Sequence, residues 1–177
     1  MKSQEIVFAG FGGQGILSMG KFLAYAGMEE NLNVSWLPSY GPEMRGGTAN
    51  CSVIVTEEQI GSPIVTKASS VVVMNRPSLD KFEETIKKGG LLVIDSDLVN
   101  RDPVRADIEV IKIPAQTIAE EIGSKKIANM VLLGALVEKT GIVKMESLIE
   151  ALRSHGKEKF FEVNKKALSE GANYAKR

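Results

Sequence analysis

Cysteine is nearly absent from this chain: Cys51 stands alone among 177 residues. One thiol closes no internal disulfide and cannot hold an iron–sulfur cluster, so any such centre must belong to a partner. Histidine is as scarce, and His155 has no second imidazole with which to form a metal pair. Its setting, Arg153-Ser154-His155-Gly156 after a helical stretch, suits a helix C-terminus or surface position better than catalysis. An excess of one charge is missing too: Lys plus Arg and Asp plus Glu number 22 each. No net field therefore draws nucleic acid or an anionic membrane. The first apolar stretch, Ile6 to Ala9, is too short for a signal-peptide core or a membrane span, so the sequence predicts a cytoplasmic protein. Repeats, low-complexity tracts, a dividing linker and an acidic motif that would anchor a diphosphate through magnesium are absent as well.

What remains is ordinary globular material, 44% hydrophobic and 25% charged. A chain of this length fits one domain and buries roughly 70% of its unfolded surface. Glu5 to Ala9, Ser70 to Met74 and Leu91 to Asp95 are aliphatic over strand-like lengths, as central parallel strands buried on both faces are. Asn33 to Leu37, Asn50 to Thr56 and Glu109 to Ile113 are further strands, with a surface hairpin expected over Glu57 to Pro63. Between them, Gln14 to Met28 reads as a helix whose Gly20, Ala24 and Gly27 form a slim face for close approach to the sheet. Another helix starts at Pro77-Ser78 and is expected to stop at Lys87-Lys88-Gly89-Gly90, cations followed by a glycine cap. Beyond Pro114 the pattern is helical over Ala115 to Ile122, Ile127 to Thr140, Met145 to Arg153 and Lys157 to Ala175. The order implies a doubly wound, Rossmann-like α/β fold: a mostly parallel sheet, helices on both faces and a helical C-terminal portion.

Two loops carry the chemistry. Gly10-Phe11-Gly12-Gly13-Gln14-Gly15 joins the first strand to the first helix, the context in which a glycine pattern brings backbone N–H groups to an anion. The same glycines also serve a tight turn alone. A dinucleotide reading, with FAD or NAD, further requires an acid at the end of the second strand for the ribose. That strand ends in Trp36-Leu37-Pro38, and Glu29 and Glu30 precede it. The second loop, Pro38-Ser39-Tyr40-Gly41-Pro42-Glu43-Met44-Arg45-Gly46-Gly47-Thr48-Ala49, packs two prolines, three glycines, an aromatic, an acid and an arginine into one connection. It should lie beside the first at the carboxyl edge of the sheet. There Arg45 suits bidentate bonds to a carboxylate or phosphate and Tyr40 offers a flat face with a polar tip. An Arg45 to Glu43 surface pair is the plainer alternative. Asp97, in Asp95-Ser96-Asp97, reads as a capping or turn residue, and Cys51 as a buried inert thiol.

These loops, with Asn129-Met130-Val131-Leu132-Leu133-Gly134-Ala135-Leu136, occur in the order found in the gamma subunit of the 2-oxoacid:ferredoxin oxidoreductases, which the chain resembles along essentially its whole length. The resemblance implies one pyruvate/ketoisovalerate oxidoreductase gamma-type domain over residues 1–177. It implies a non-redox subunit of an enzyme that converts a 2-oxoacid and coenzyme A into acyl-CoA and carbon dioxide. Ferredoxin would accept the electrons. Thiamine diphosphate, magnesium and iron–sulfur clusters would sit in partner subunits. No catalytic residue and no metal ligand is expected here. Gly10, Gly12, Gly13, Gln14, Gly15, Tyr40, Gly41, Pro42, Glu43, Arg45, Gly46 and Gly47 would face a ligand or a partner. A stand-alone nucleotide-binding protein and a homo-oligomeric scaffold are the alternatives.

Overall fold

The computed structural model describes residues 1–39 and 48–177. Six strands, β1 Ser3–Phe11, β2 Asn33–Ser39, β3 Thr48–Thr56, β4 Ala68–Val73, β5 Ile86–Asp95 and β6 Glu109–Ile113, form one sheet in the order β2-β3-β1-β4-β5-β6. β1, β4, β5 and β6 are mutually parallel, whereas β3 is antiparallel to both β1 and β2. Six α-helices accompany them: α1 Ile16–Glu29, α2 Arg76–Phe82, α3 Ala115–Ile122, α4 Ala128–Thr140, α5 Met145–His155 and α6 Phe161–Ala175.

The side-chain period of two sorts the strands into two cores. Ile6, Phe8, Cys51, Val53, Val72 and Val93 point to one face and are buried there against α1, α3, α4, α5 and α6. Val7, Ala9, Val71, Val73, Leu92 and Ile94 point to the other face, where α2 contributes Leu79. Helices thus cover both faces, but unevenly.

α1 lies on β2 and β3 because it lacks side chains where it crosses them. A Cβ at Gly20 would strike Cys51, Val53 and Trp36, and one at Gly27 would strike Val34 and Val55. The slim face expected from sequence is used for that purpose. α4 is buried along its whole inner length, from Ala128 to Val137. It is crossed by α6 so closely that Gly134 faces the Leu168 backbone and Gly171 the Val131 backbone. α6 accordingly wraps back over the fold. No helix of the described residues is long and apolar enough to cross a membrane.

Three expectations need correction. Lys87 to Gly90 do not end a helix. α2 stops at Phe82, a 3₁₀ turn covers Glu83–Thr85, and these residues open β5. Gly89 has φ +75°, and its N–H donates to Asp107 O at 2.7 Å. A left-handed glycine suits an irregular strand entry as well as a helix cap. The hairpin over Glu57 to Pro63 is absent: β3 ends at Thr56 and no strand follows until Ala68. β3 instead pairs backwards with β2. Finally, Gly10 lies inside β1, paired with Ala49, so the connection to α1 is only Gly12 to Gly15.

Candidate functional site at the carboxyl edge of the sheet

α1 follows β1 on one face and α2 follows β4 on the other, so the chain reverses its winding between these neighbours. In open α/β sheets ligands bind outside the strand ends at such a point. Here the point is spanned by a side chain. Gln14 Oε1 accepts the Phe11 N–H at 2.6 Å, and Gln14 Nε2 donates to Met74 O, beyond the end of β4, at 3.3 Å. Asn75, buried at the start of α2, accepts the Ser78 N–H. Its Nδ2 and the Ser78 hydroxyl have no partner among the described residues.

A second fastening comes from α4. Asn129 is 7% exposed, and its Nδ2 donates to Gly15 O at 3.2 Å across 114 residues of sequence. The same carbonyl accepts Met19 N–H, the first bond of α1. Gly15 has φ +74°, and a Cβ there would overlap the Asn129 amide. Gly13 also has positive φ, +89°, but open space around it.

With Gln14 turned toward β4, the open side of the turn faces β3. A hollow of about 320 Å³ is lined by Phe11, Gly12, Gly13, Gly15, Ile16, Leu17, Ser18 and Ala49. The first-turn N–H groups of α1 have no intrahelical acceptor. Gly15 supplies no capping side chain. The hollow therefore pairs amide donors that have no partner among the described residues, and a positive helix end, with an apolar wall, Phe11 being 44% exposed.

Tyr40, Gly41, Pro42, Glu43, Arg45, Gly46 and Gly47 lie outside the described residues. The roots of that segment do not: Ser39 pairs with Asn50, and Thr48 pairs with Phe11 at the end of β1. The two loops expected to share an edge are thus rooted on adjacent strands, with Ala49 already in the hollow.

Other singled-out residues fall elsewhere. Asp97 caps α3: its carboxylate accepts Thr117 N–H at 2.7 Å and faces the Thr117 hydroxyl at 3.2 Å. Asp95, fully buried, accepts from Gln116 at 2.8 Å, and burial pushes its carboxyl above the usual range despite that bond. Burial likewise pushes the Cys51 thiol up to about 12, against weaker hydrogen-bond effects of Trp36 and Gly20, so it is a packed, un-ionised thiol. His155 stacks on Tyr25 at 3.6 Å between ring centroids, joining α5 to α1. Among the described residues no three His, Cys, Asp or Glu side chains are grouped to hold a metal. Sequence reasoning missed Asn129 and Met74 as partners of the glycine turn. No local signal pairs residues so far apart, although Asn129 heads the helix that carries the third motif.

The dinucleotide alternative loses ground on the same geometry. The neighbour of β1 on the α1 side is the antiparallel β3, so no parallel second strand presents an acid to a ribose.

A family model described as pyruvate ferredoxin/flavodoxin oxidoreductase matches residues 5–174. The chain belongs to this family. It is 40% identical over 180 residues to the ketoisovalerate oxidoreductase subunit VorA of Methanothermobacter marburgensis, covering 98% of this chain and 37% of the relative. It thus spans little more than a third of that relative's length. The crystal structure of a keto/oxoacid ferredoxin oxidoreductase gamma subunit from Geobacter sulfurreducens superimposes with a TM-score of 0.86 at 33% identity, covering 97% of each chain. A 2-oxoglutarate:ferredoxin oxidoreductase from Magnetococcus marinus, with 2-oxoglutarate, coenzyme A and succinyl-CoA bound, gives 0.86's near equal, a TM-score of 0.88 at 28% identity. That match covers 99% of this chain and 31% of the other. The family resemblance and the sheet architecture read from the sequence are both borne out.

Proposed function

We propose that residues 1–177 form one domain that serves as the gamma subunit of a cytoplasmic 2-oxoacid:ferredoxin oxidoreductase. The observation that carries this reading is the family match through residues 5–174, reinforced by a gamma-subunit fold matched over 97% of both chains. The subunit is non-redox. Its single buried thiol is not enough to ligate a cluster, so the iron–sulfur clusters belong to companion subunits, where the family resemblance also puts thiamine diphosphate and magnesium.

In this reading the chain's part in the reaction is to bind and orient. The unspent amides of Gly15 to Ser18 take an anionic group, of which a phosphate of coenzyme A is the candidate that the complex brings. The exposed ring of Phe11 keeps the hollow dry on one side. Arg45, Tyr40 and Glu43, with Gly41, Pro42, Gly46 and Gly47, are assigned to contact with the ligand or with a thiamine-binding subunit. Ferredoxin meets the assembly at its iron–sulfur subunits. Pyruvate, ketoisovalerate and 2-oxoglutarate are all compatible substrates, since the side-chain pocket lies in the companions.

The test is anaerobic purification of the tagged chain from its native cells, followed by assay of coenzyme A-dependent ferredoxin reduction with each 2-oxoacid. Thiamine-binding and iron–sulfur subunits should co-elute with activity. A chain that elutes alone and inactive overturns the reading. Within the active complex, Arg45→Ala should impair assembly or turnover, and wild-type kinetics would remove the role given to Arg45.

A further inference from the structure

The glycine turn is short, has two residues at positive φ, and its amides are useful only in one arrangement. Its own side chains account for only half of that arrangement. Gln14 ties the outer half, Phe11 to Gln14, to β4. The inner half, where the backbone passes through Gly15 into the first turn of α1, is held by Asn129.

We propose that Asn129 is the positioning residue of this turn, fixing the Gly15 carbonyl so that the amides of Gly15 to Ser18 point into the hollow. The side chain is buried, and its Oδ1 is occupied by the Met130 N–H, which orients Nδ2 toward Gly15. α4 itself is immobilised between the sheet and α6, where Gly134 and Gly171 bring the two helix backbones together. The anchor therefore sits on one of the most buried elements of the fold, whereas the turn it holds is on the surface. The absence of a Cβ at Gly15 makes room for it: any side chain there would occupy the space of the Asn129 amide. The relevance of the turn to coenzyme A rests on the function proposed above; the fastening of the turn does not.

The test uses the full chain with Asn129→Asp, which keeps the shape but sets a carboxylate against a carbonyl, and Asn129→Ala. Leu133→Ala is the control, a fully buried residue of the same helix that makes no hydrogen bond to the turn through its side chain. Amide hydrogen exchange over residues 11–18 should be about tenfold faster in both Asn129 variants than in Leu133→Ala, as expected for loss of one buried hydrogen bond. Equal exchange in all three overturns the proposal, whatever their melting temperatures. The reconstituted complex then separates the two readings. A raised KM for coenzyme A with kcat retained, in the Asn129 variants only, supports the whole chain of inference. Faster exchange with an unchanged KM leaves the positioning role standing and overturns the reading of the hollow.

Discussion

The connection after β1 and the connection after β5 leave the same edge of the sheet and are fastened by opposite means. The glycine turn is tied by two neutral amides, Gln14 and Asn129, and leaves the first-turn N–H groups of α1 without a partner among the described residues. The run from Ser96 to Ile108 is tied by charge. Glu83 carboxylate accepts Val104 N–H at 2.5 Å, Arg105 N–H at 3.1 Å and Arg101 Nη2 at 2.9 Å. Arg101 also reaches Asp80, Arg105 reaches Asp107, and Lys112 pairs with Asp102. Asp97 spends its carboxylate on α3. The second connection has spent its charged groups on Glu83, Asp80 and Lys112 around it and on the internal Arg105–Asp107 pair, so it has little left to offer a ligand. The first is held by Gln14 from within and by Asn129 from α4, and its first-turn amides have no partner among the described residues.

The largest effect should come from cutting the charged fastening at its centre. Glu83→Ala leaves two amides and a guanidinium without their acceptor in a place where the side chain is 4% exposed. That costs about 3 kcal/mol, measurable by urea denaturation, with exchange in the glycine turn unchanged. A loss below about 1 kcal/mol would show that water replaces the carboxylate and that charge does not fasten this connection. The pH dependence has a definite sign. Burial alone would raise the Glu83 carboxyl, but Arg101 and the Arg105 and Val104 amides bring it below the usual range. Its stabilising contribution is therefore present at neutral pH and is lost as pH falls below the ordinary glutamate range and through the lowered pKa of the folded state.

Next in size is Gly15→Ala. A left-handed alanine costs about 1 kcal/mol, and displacement of Asn129 adds a comparable amount, so about 2 kcal/mol is expected in all. The second part should disappear when Asn129→Ala is already present, which a double-mutant cycle on thermal unfolding reads directly. Additive losses would mean that Asn129 and Gly15 are not coupled.

Asp95 inverts the behaviour of Glu83. Its carboxyl is raised by burial, with one side-chain donor, Gln116, set against it. A raised acid favours the folded state only while protonated, so at neutral pH its charge is a cost. Asp95→Asn should stabilise by about 1 kcal/mol near pH 7, and the gain should vanish below about pH 4, where the wild-type residue is also neutral. A less stable variant at pH 7 would show that the carboxylate is paired better than its burial suggests.

The contrast between the two connections also marks how far the sequence can be read. The cores were legible because Ile6 to Ala9, Val71 to Val73 and Leu91 to Ile94 are apolar on both faces, a local signal of buried parallel strands. The spacing of Gly20 and Gly27 placed α1 against the sheet for the right reason. Lys87 to Gly90 misled because a left-handed glycine after cations serves a strand entry as readily as a helix end. The antiparallel seat of β3 between β2 and β1 left no local mark, since apolar alternation does not state what a strand pairs with. At the site, the glycine turn was visible and its fastenings were not. Asn129 and Met74 are brought to the turn by the packing of α4 and β4, which is settled only when the whole sheet is assembled.

The smallest effect on stability should be Gly13→Ala, and it is the most informative about function. Gly13 shares the left-handed backbone of Gly15 but has nothing within 4 Å of where a Cβ would stand. Its replacement should cost only the local strain, about 1 kcal/mol, a fall in Tm of roughly 2–4 °C for a chain of this size. No fastening of either connection is touched. Gly13 itself lines the hollow, so the methyl is added at its edge without displacing Asn129 or Gln14. If those amides meet a phosphate in the assembled oxidoreductase, ferredoxin reduction should show a raised KM for coenzyme A while the subunits still co-purify. Full activity in this variant would mean that the open side of the turn is left open for no ligand, and that its glycines serve the strand-to-helix turn alone.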